Sequence, residues 1–101
     1  MDFASEKEAK RYDELFILER SGTIKDLRMQ VPFELTPSQT RDDGSTERPC
    51  KYIADFVYWD SRCERVIVED VKGYKNSAAY ALFAVKRKIM LHKYGISVRE
   101  I

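Results

Sequence analysis

Two runs of β-branched and aromatic residues, Tyr52 to Trp59 and Arg65 to Lys72, stand only five residues apart. The separator, Asp60-Ser61-Arg62-Cys63-Glu64, is too short for a crossover, so the two runs must form an antiparallel hairpin. With the turn centred between Arg62 and Cys63, Trp59 pairs with Val66, Val57 with Val68, and Asp55 with Asp70. Side chains alternate along a strand, which puts Val66, Val68, Asp70 and Lys72 on one face and Glu69 on the other. Trp59, Val57 and Val68 read as core.

The rest of the chain is built around this hairpin. Ser5-Glu6-Lys7-Glu8 fits a capping box, and Ala9, Tyr12, Leu15 and Phe16 continue it as a helical apolar stripe that stops at Ser21-Gly22. From Leu27 the period becomes two: Leu27, Met29, Val31, Phe33 and Leu35 alternate with polar residues and Pro32, as in a half-buried edge strand. Residues 36–49 are polar and aperiodic, and predict a long flexible loop. Asn76 to Tyr94 reads as a helix ended by Gly95, with Ala79, Leu82, Phe83, Val85, Ile89 and Met90 as its apolar stripe, and residues 96–101 read as a last strand. The expected fold is α+β, in the order α-β-β-β-α-β: one domain over residues 1–101, with a four-stranded mixed sheet flanked by two helices.

Composition narrows the class. In 101 residues, 35% are charged and no apolar run approaches the roughly 18 residues of a membrane span. The N-terminal residues carry neither a basic nor an apolar leader segment, so the expected location is the cytoplasm. Cys50 and Cys63, at opposite ends of one strand, are too far apart for a disulfide, and with one histidine they do not make a zinc site. Net charge is only +1, but no Asp or Glu occurs from Val71 to Arg99, where Lys72, Lys75, Lys86, Arg87, Lys88, Lys93 and Arg99 accumulate. A basic final third on an acidic remainder suits a polyanionic partner, and suits a solvated basic helix equally well.

The chemistry lies at the end of the hairpin. Facing carboxylates at Asp55 and Asp70 repel unless a cation lies between them, and hard oxygen donors at that spacing suit Mg²⁺ or Mn²⁺. Glu8 falls on the sheet-facing border of the first helix, where it serves as a capping residue, as a further site acid, or as both. Lys86 sits inside an apolar stripe; it either snorkels outward or reaches the centre as a phosphate contact. Arg87 and Lys88 lie off the stripe and, with Lys75, fit non-specific backbone binding. Tyr74 and Tyr80 are candidates for stacking on bases, and Glu69 is an ion-pair partner rather than a ligand.

Asp55 followed by Asp70-Val71-Lys72, within that element order, resembles the PD-(D/E)XK nuclease superfamily. Further similarity is to a branch of small phage and prophage proteins related to Holliday-junction resolvases. It runs through residues 3–9, Gln30 with Phe33 and Leu35, residues 51–56, residues 68–73 and residues 95–101. Ala54 stands where the name-giving proline would be, which removes no ligand. The resemblance implies a restriction-endonuclease-like core and a cytoplasmic, phage-encoded endonuclease that hydrolyses DNA, branched DNA in particular. It also implies catalysis by Glu8, Asp55, Asp70 and Lys72. Asp55 and Asp70, with the Val71 carbonyl and Glu8, would hold the metal, and Lys72 would act on the attacking water. A junction cutter of this kind needs a homodimer to reach two strands. The alternative is a catalytically inactive nucleic-acid-binding module on the same fold.

Overall fold

The computed structural model describes residues 3, 5–72 and 77–101. Helix α1 (Glu6–Arg20) starts at Ser5, whose hydroxyl accepts the Glu8 N–H, and closes at Ser21. Three long strands follow, β1 (Ile24–Thr36), β4 (Cys50–Asp60) and β5 (Arg65–Asp70). Helix α2 (Ala78–Tyr94) is capped by the Ser77 hydroxyl and ends on Gly95 in the left-handed conformation, φ 67°. The two-residue strand β6 (Arg99–Glu100) lies parallel to β5, so the main sheet has the order β1-β4-β5-β6 and is of mixed α+β type. No helix among the described residues is long and apolar enough to cross a membrane.

The hairpin register is the one the sequence predicts: Trp59 pairs with Val66, Val57 with Val68 and Phe56 with Glu69. The ladder ends one pair short of Asp55 and Asp70, because Asp55 Oδ2 accepts the Val71 N–H at 2.8 Å in place of a backbone bond. The segment read as a loop holds a ribbon of two short strands, β2 (Gln39–Thr40) and β3 (Thr46–Glu47), turned at Gly44. Two-residue strands have no period to read, so the sequence pattern missed them.

The sheet has a helix-facing core on each side. Leu15, Ile24, Phe56, Tyr58 and Ile67 form the core under α1, and Leu35, Tyr52, Ala54, Val57, Val68, Phe83 and Met90 form the one under α2. The expectation that Leu27 through Leu35 share one face is overturned. Leu27 and Met29 pack into the α1 core, whereas Val31, Phe33 and Leu35 pack into the α2 core. Between them Gln30 adopts φ 53°, a left-handed conformation that breaks strand alternation. The partner strand switches at the facing residue: Ala54 belongs to the α2 core and Phe56 to the α1 core, on either side of Asp55.

Other core assignments change as well. Trp59 is 38% exposed and Val66 is exposed beside it, because their end of the hairpin extends past the cover of α2. Leu82 (57% exposed) and Val85 face outward, and α2 seats on Phe83 and Met90 with Tyr80 and Ile89. A helix this apolar offers more than one plausible stripe, and only the sheet decides which is buried.

Candidate active site

Where both strands change face, the sheet opens into a cavity of about 600 Å³ between the N-terminal ends of the two helices. Glu8 and Lys7 reach it from α1, Lys51, Tyr52 and Asp55 from β4, Asp70 and Lys72 from β5 and its end, and Phe83 and Lys86 from α2. Glu8, Asp55, Asp70, Lys72 and Lys86, singled out far apart in the sequence, thus line one space.

Asp70 is the centre of the electrostatics. It is 3% exposed; burial first, then the hydrogen-bonded Asp55 carboxylate, raises its pKa to about 7, against the opposing pull of Lys72. The Lys72 ammonium pairs with Asp70 Oδ2 and lies 3.9 Å from the centroid of the Phe83 ring, which holds the cation against the cavity wall. Lys7 donates to the Lys72 carbonyl at 2.7 Å, tying the start of α1 to the end of the Asp70 strand.

Gln30 was not foreseen as a site residue. Its Nε2 donates to Glu8 Oε1 at 3.2 Å and to Asp55 Oδ1 at 3.3 Å, so one amide spans the two acids. A left-handed, non-glycine residue inside a strand is strained, and such strain persists where surrounding contacts enforce it. Glutamine gives no sequence signal for that conformation, unlike glycine or asparagine.

The donor set can be set against a divalent ion. Two facing carboxylates, one driven toward neutrality partly by the other, are relieved by a cation between them, and their hard oxygens suit Mg²⁺ or Mn²⁺. Glu8 stands one glutamine away from that pair, and among the described residues no three His, Cys, Asp or Glu side chains converge to hold a metal. Asp55 and Asp70 are the two carboxylates in direct contact, and Glu8 is linked to them through the Gln30 amide.

Behind Asp70, the opposite sheet face carries a closed ion pair. Glu69 is fully buried; it accepts two bonds from Arg11, at 2.8 and 2.6 Å, and one from the Tyr58 hydroxyl. The guanidinium is held well above its ordinary pKa by Glu69, and the Tyr58 phenol is raised by burial and by the same carboxylate. Glu69 is thus an ion-pair partner, as its parity indicates.

The basic residues of the last third divide. Lys86 lines the cavity and Lys88 is exposed. Arg87 bonds Glu100 at 3.2 Å, and Tyr80 donates to the same carboxylate at 2.6 Å, so both are committed to holding β6 rather than standing free for a nucleic acid. Lys75, with Gly73, Tyr74 and Asn76, lies outside the described residues.

Fold and cavity together define a small α+β domain with an acidic pair set in a ring of lysines. The chain belongs to the family DUF1064, described as a protein of unknown function, whose model matches residues 1–99. No curated protein and no solved structure matches it.

Proposed function

We propose that the cavity is the active centre of a metal-dependent endonuclease of the PD-(D/E)XK type, acting on DNA and on branched or structured DNA in particular. The observation that carries this reading is the convergence of Asp55, Asp70 and Lys72 in one cavity whose other charged walls are Glu8, Lys7, Lys51 and Lys86. Asp55 and Asp70 would hold Mg²⁺ or Mn²⁺, which when bound supplies Lewis acidity toward phosphate and acidifies a water. Lys72, fixed on Phe83 beside Asp70, carries positive charge to the point where a phosphorane-like transition state needs it. Lys7, Lys51 and Lys86 come from three different elements and neutralise flanking phosphates. Glu8 acts through Gln30, which fixes the rotamer of Asp55.

The test is incubation with Mg²⁺ or Mn²⁺ and linear, nicked, flapped and four-way DNAs. The expected result is cleavage that disappears in EDTA and in Asp70→Asn. Binding to these DNAs with no cleavage of any of them by either ion replaces the enzyme with a nucleic-acid-binding module.

A further inference from the structure

We propose that the open edge of β5 at residues 65–67 is a docking site for an extended segment of another protein, one in which acidic and apolar residues alternate. The last strand, β6, covers only the far end of β5, beside Glu69 and Asp70. Asp70 accepts the Ile101 N–H and Lys72 donates to the Ile101 carbonyl, so even-numbered residues here turn their peptide groups toward that edge. By the same parity the Val66 N–H and C=O point outward, where no strand among the described residues pairs with them. Residues 95–97 stand off from β5 instead, and a cavity of about 450 Å³ separates the two, a volume in the range of ligand sites.

The two sides of this edge differ in chemistry. Arg65 shares the α1 face with Ile67, and Arg99 stands on the same face because it is level with Glu69. Both arginines line the cavity, and no carboxylate does. Asp60, whose charge reaches Arg99, is bonded twice by Arg62 at 3.0 Å. Neither the Arg65 nor the Arg99 guanidinium makes a hydrogen bond or ion pair among the described residues. On the α2 face, Val66 is 46% exposed, Ile96 lines the same cavity, and exposed Trp59 lies beside Val66. A strand added here sets one residue beside Val66, against the apolar side, and turns the residues before and after it toward the arginines. Backbone bonds to Val66 supply affinity, and the acidic-apolar-acidic order supplies specificity. A nucleic acid would meet the arginines but leave the outward peptide group and the apolar side unused.

This edge lies at the other end of β5 from Asp70, and the docking site does not rest on the nuclease reading. The probes are a fluorescein-labelled, end-capped hexapeptide of alternating glutamate and valine and its lysine–valine counterpart, titrated into the protein by anisotropy. The glutamate peptide should bind at least about tenfold more tightly than the lysine peptide and should slow hydrogen exchange at the Val66 amide. Arg65→Glu combined with Arg99→Glu should reverse that preference. Val66→Pro removes the outward N–H without breaking a bond inside the sheet. It should therefore keep its circular dichroism spectrum and lose at least about tenfold in affinity for the glutamate peptide. Binding of neither peptide by wild type overturns the proposal, as does equal binding by wild type and a folded Val66→Pro protein. Where Val66→Pro does not fold, the charge-reversed protein decides, and an unchanged preference overturns the proposal. Displacement of the glutamate peptide by duplex DNA, with no protection of the Val66 amide, assigns the arginines to a nucleic acid and overturns it too.

Discussion

Asp70→Asn should make the metal-free protein more stable, by an amount that depends on pH in a fixed direction. Folding takes the Asp70 carboxyl from an ordinary 3.8 to about 7, so the native state binds its proton more tightly than the unfolded chain does. For an acid raised on folding, the favourable contribution is complete below the unfolded pKa and is lost as pH rises through the folded one. Above pH 7 the native protein carries a buried carboxylate against Asp55, and asparagine removes that charge while keeping its shape. The unscreened shift corresponds to about 4 kcal/mol at about 1.4 kcal/mol per unit. Asp70 lines an open cavity and loses its Lys72 pair on mutation, so a discounted gain of about 1–2 kcal/mol at pH 8 is expected. In a domain of this size that corresponds to roughly 4–16 °C in melting temperature. Thermal unfolding in EDTA from pH 4 to 8 should show the mutant and wild-type curves meeting near pH 4 and separating as pH rises. A mutant no more stable than wild type at pH 8, or a gain that is independent of pH, refutes the electrostatic account of the pair.

The same Asp70→Asn protein should lose most of its Mn²⁺ affinity by calorimetry while keeping its circular dichroism spectrum. Lys72→Ala should slow cleavage by about 100-fold or more with little change in DNA affinity, since charge placed for the transition state contributes mainly to rate. Lys88→Glu should do the reverse, weakening every DNA alike and flattening the salt dependence of binding measured by fluorescence anisotropy. Arg11→Ala leaves Glu69 buried without its cation and should cost about 3 kcal/mol or more in urea unfolding; a loss below about 1 kcal/mol contradicts the buried pair. At position 30, Gly should be more stable than Ala by about 1 kcal/mol, the opposite of strand preference, because φ 53° penalises a Cβ.

The hairpin and its acidic pair were legible because alternation over two strands joined by a short turn leaves only a few registers, and only one of the two strand faces collects Asp70 and Lys72. Helix ends were legible where Ser5, Gly22 and Gly95 mark them chemically. What escaped was set by distance. Gln30 in a strand looks ordinary until Glu8 and Asp55 are seen to share its amide. Tyr52 carries no sequence signal of its own; that its ring lies in the core beside the cavity follows only from the packing of β4 against α2. Arg87 looked free because Glu100 comes from another element, and Leu82 looked buried because a helical wheel does not say which arc meets the sheet.

The parallel seam between the last strand and β5 ties the site to the folding pathway. Ile101 donates its N–H to the Asp70 carbonyl and accepts the Lys72 N–H, so the backbone that carries the acid and the lysine is held across the whole of α2. Contacts of such high sequence separation form only after loop closure has been completed, and a two-residue strand at a sheet edge is among the first elements to open again. The seam to β6 is therefore expected to open more readily than the β4–β5 hairpin that also holds Asp70. Hydrogen exchange at the Lys72 amide, which is bonded to the Ile101 carbonyl, measures the free energy of that opening.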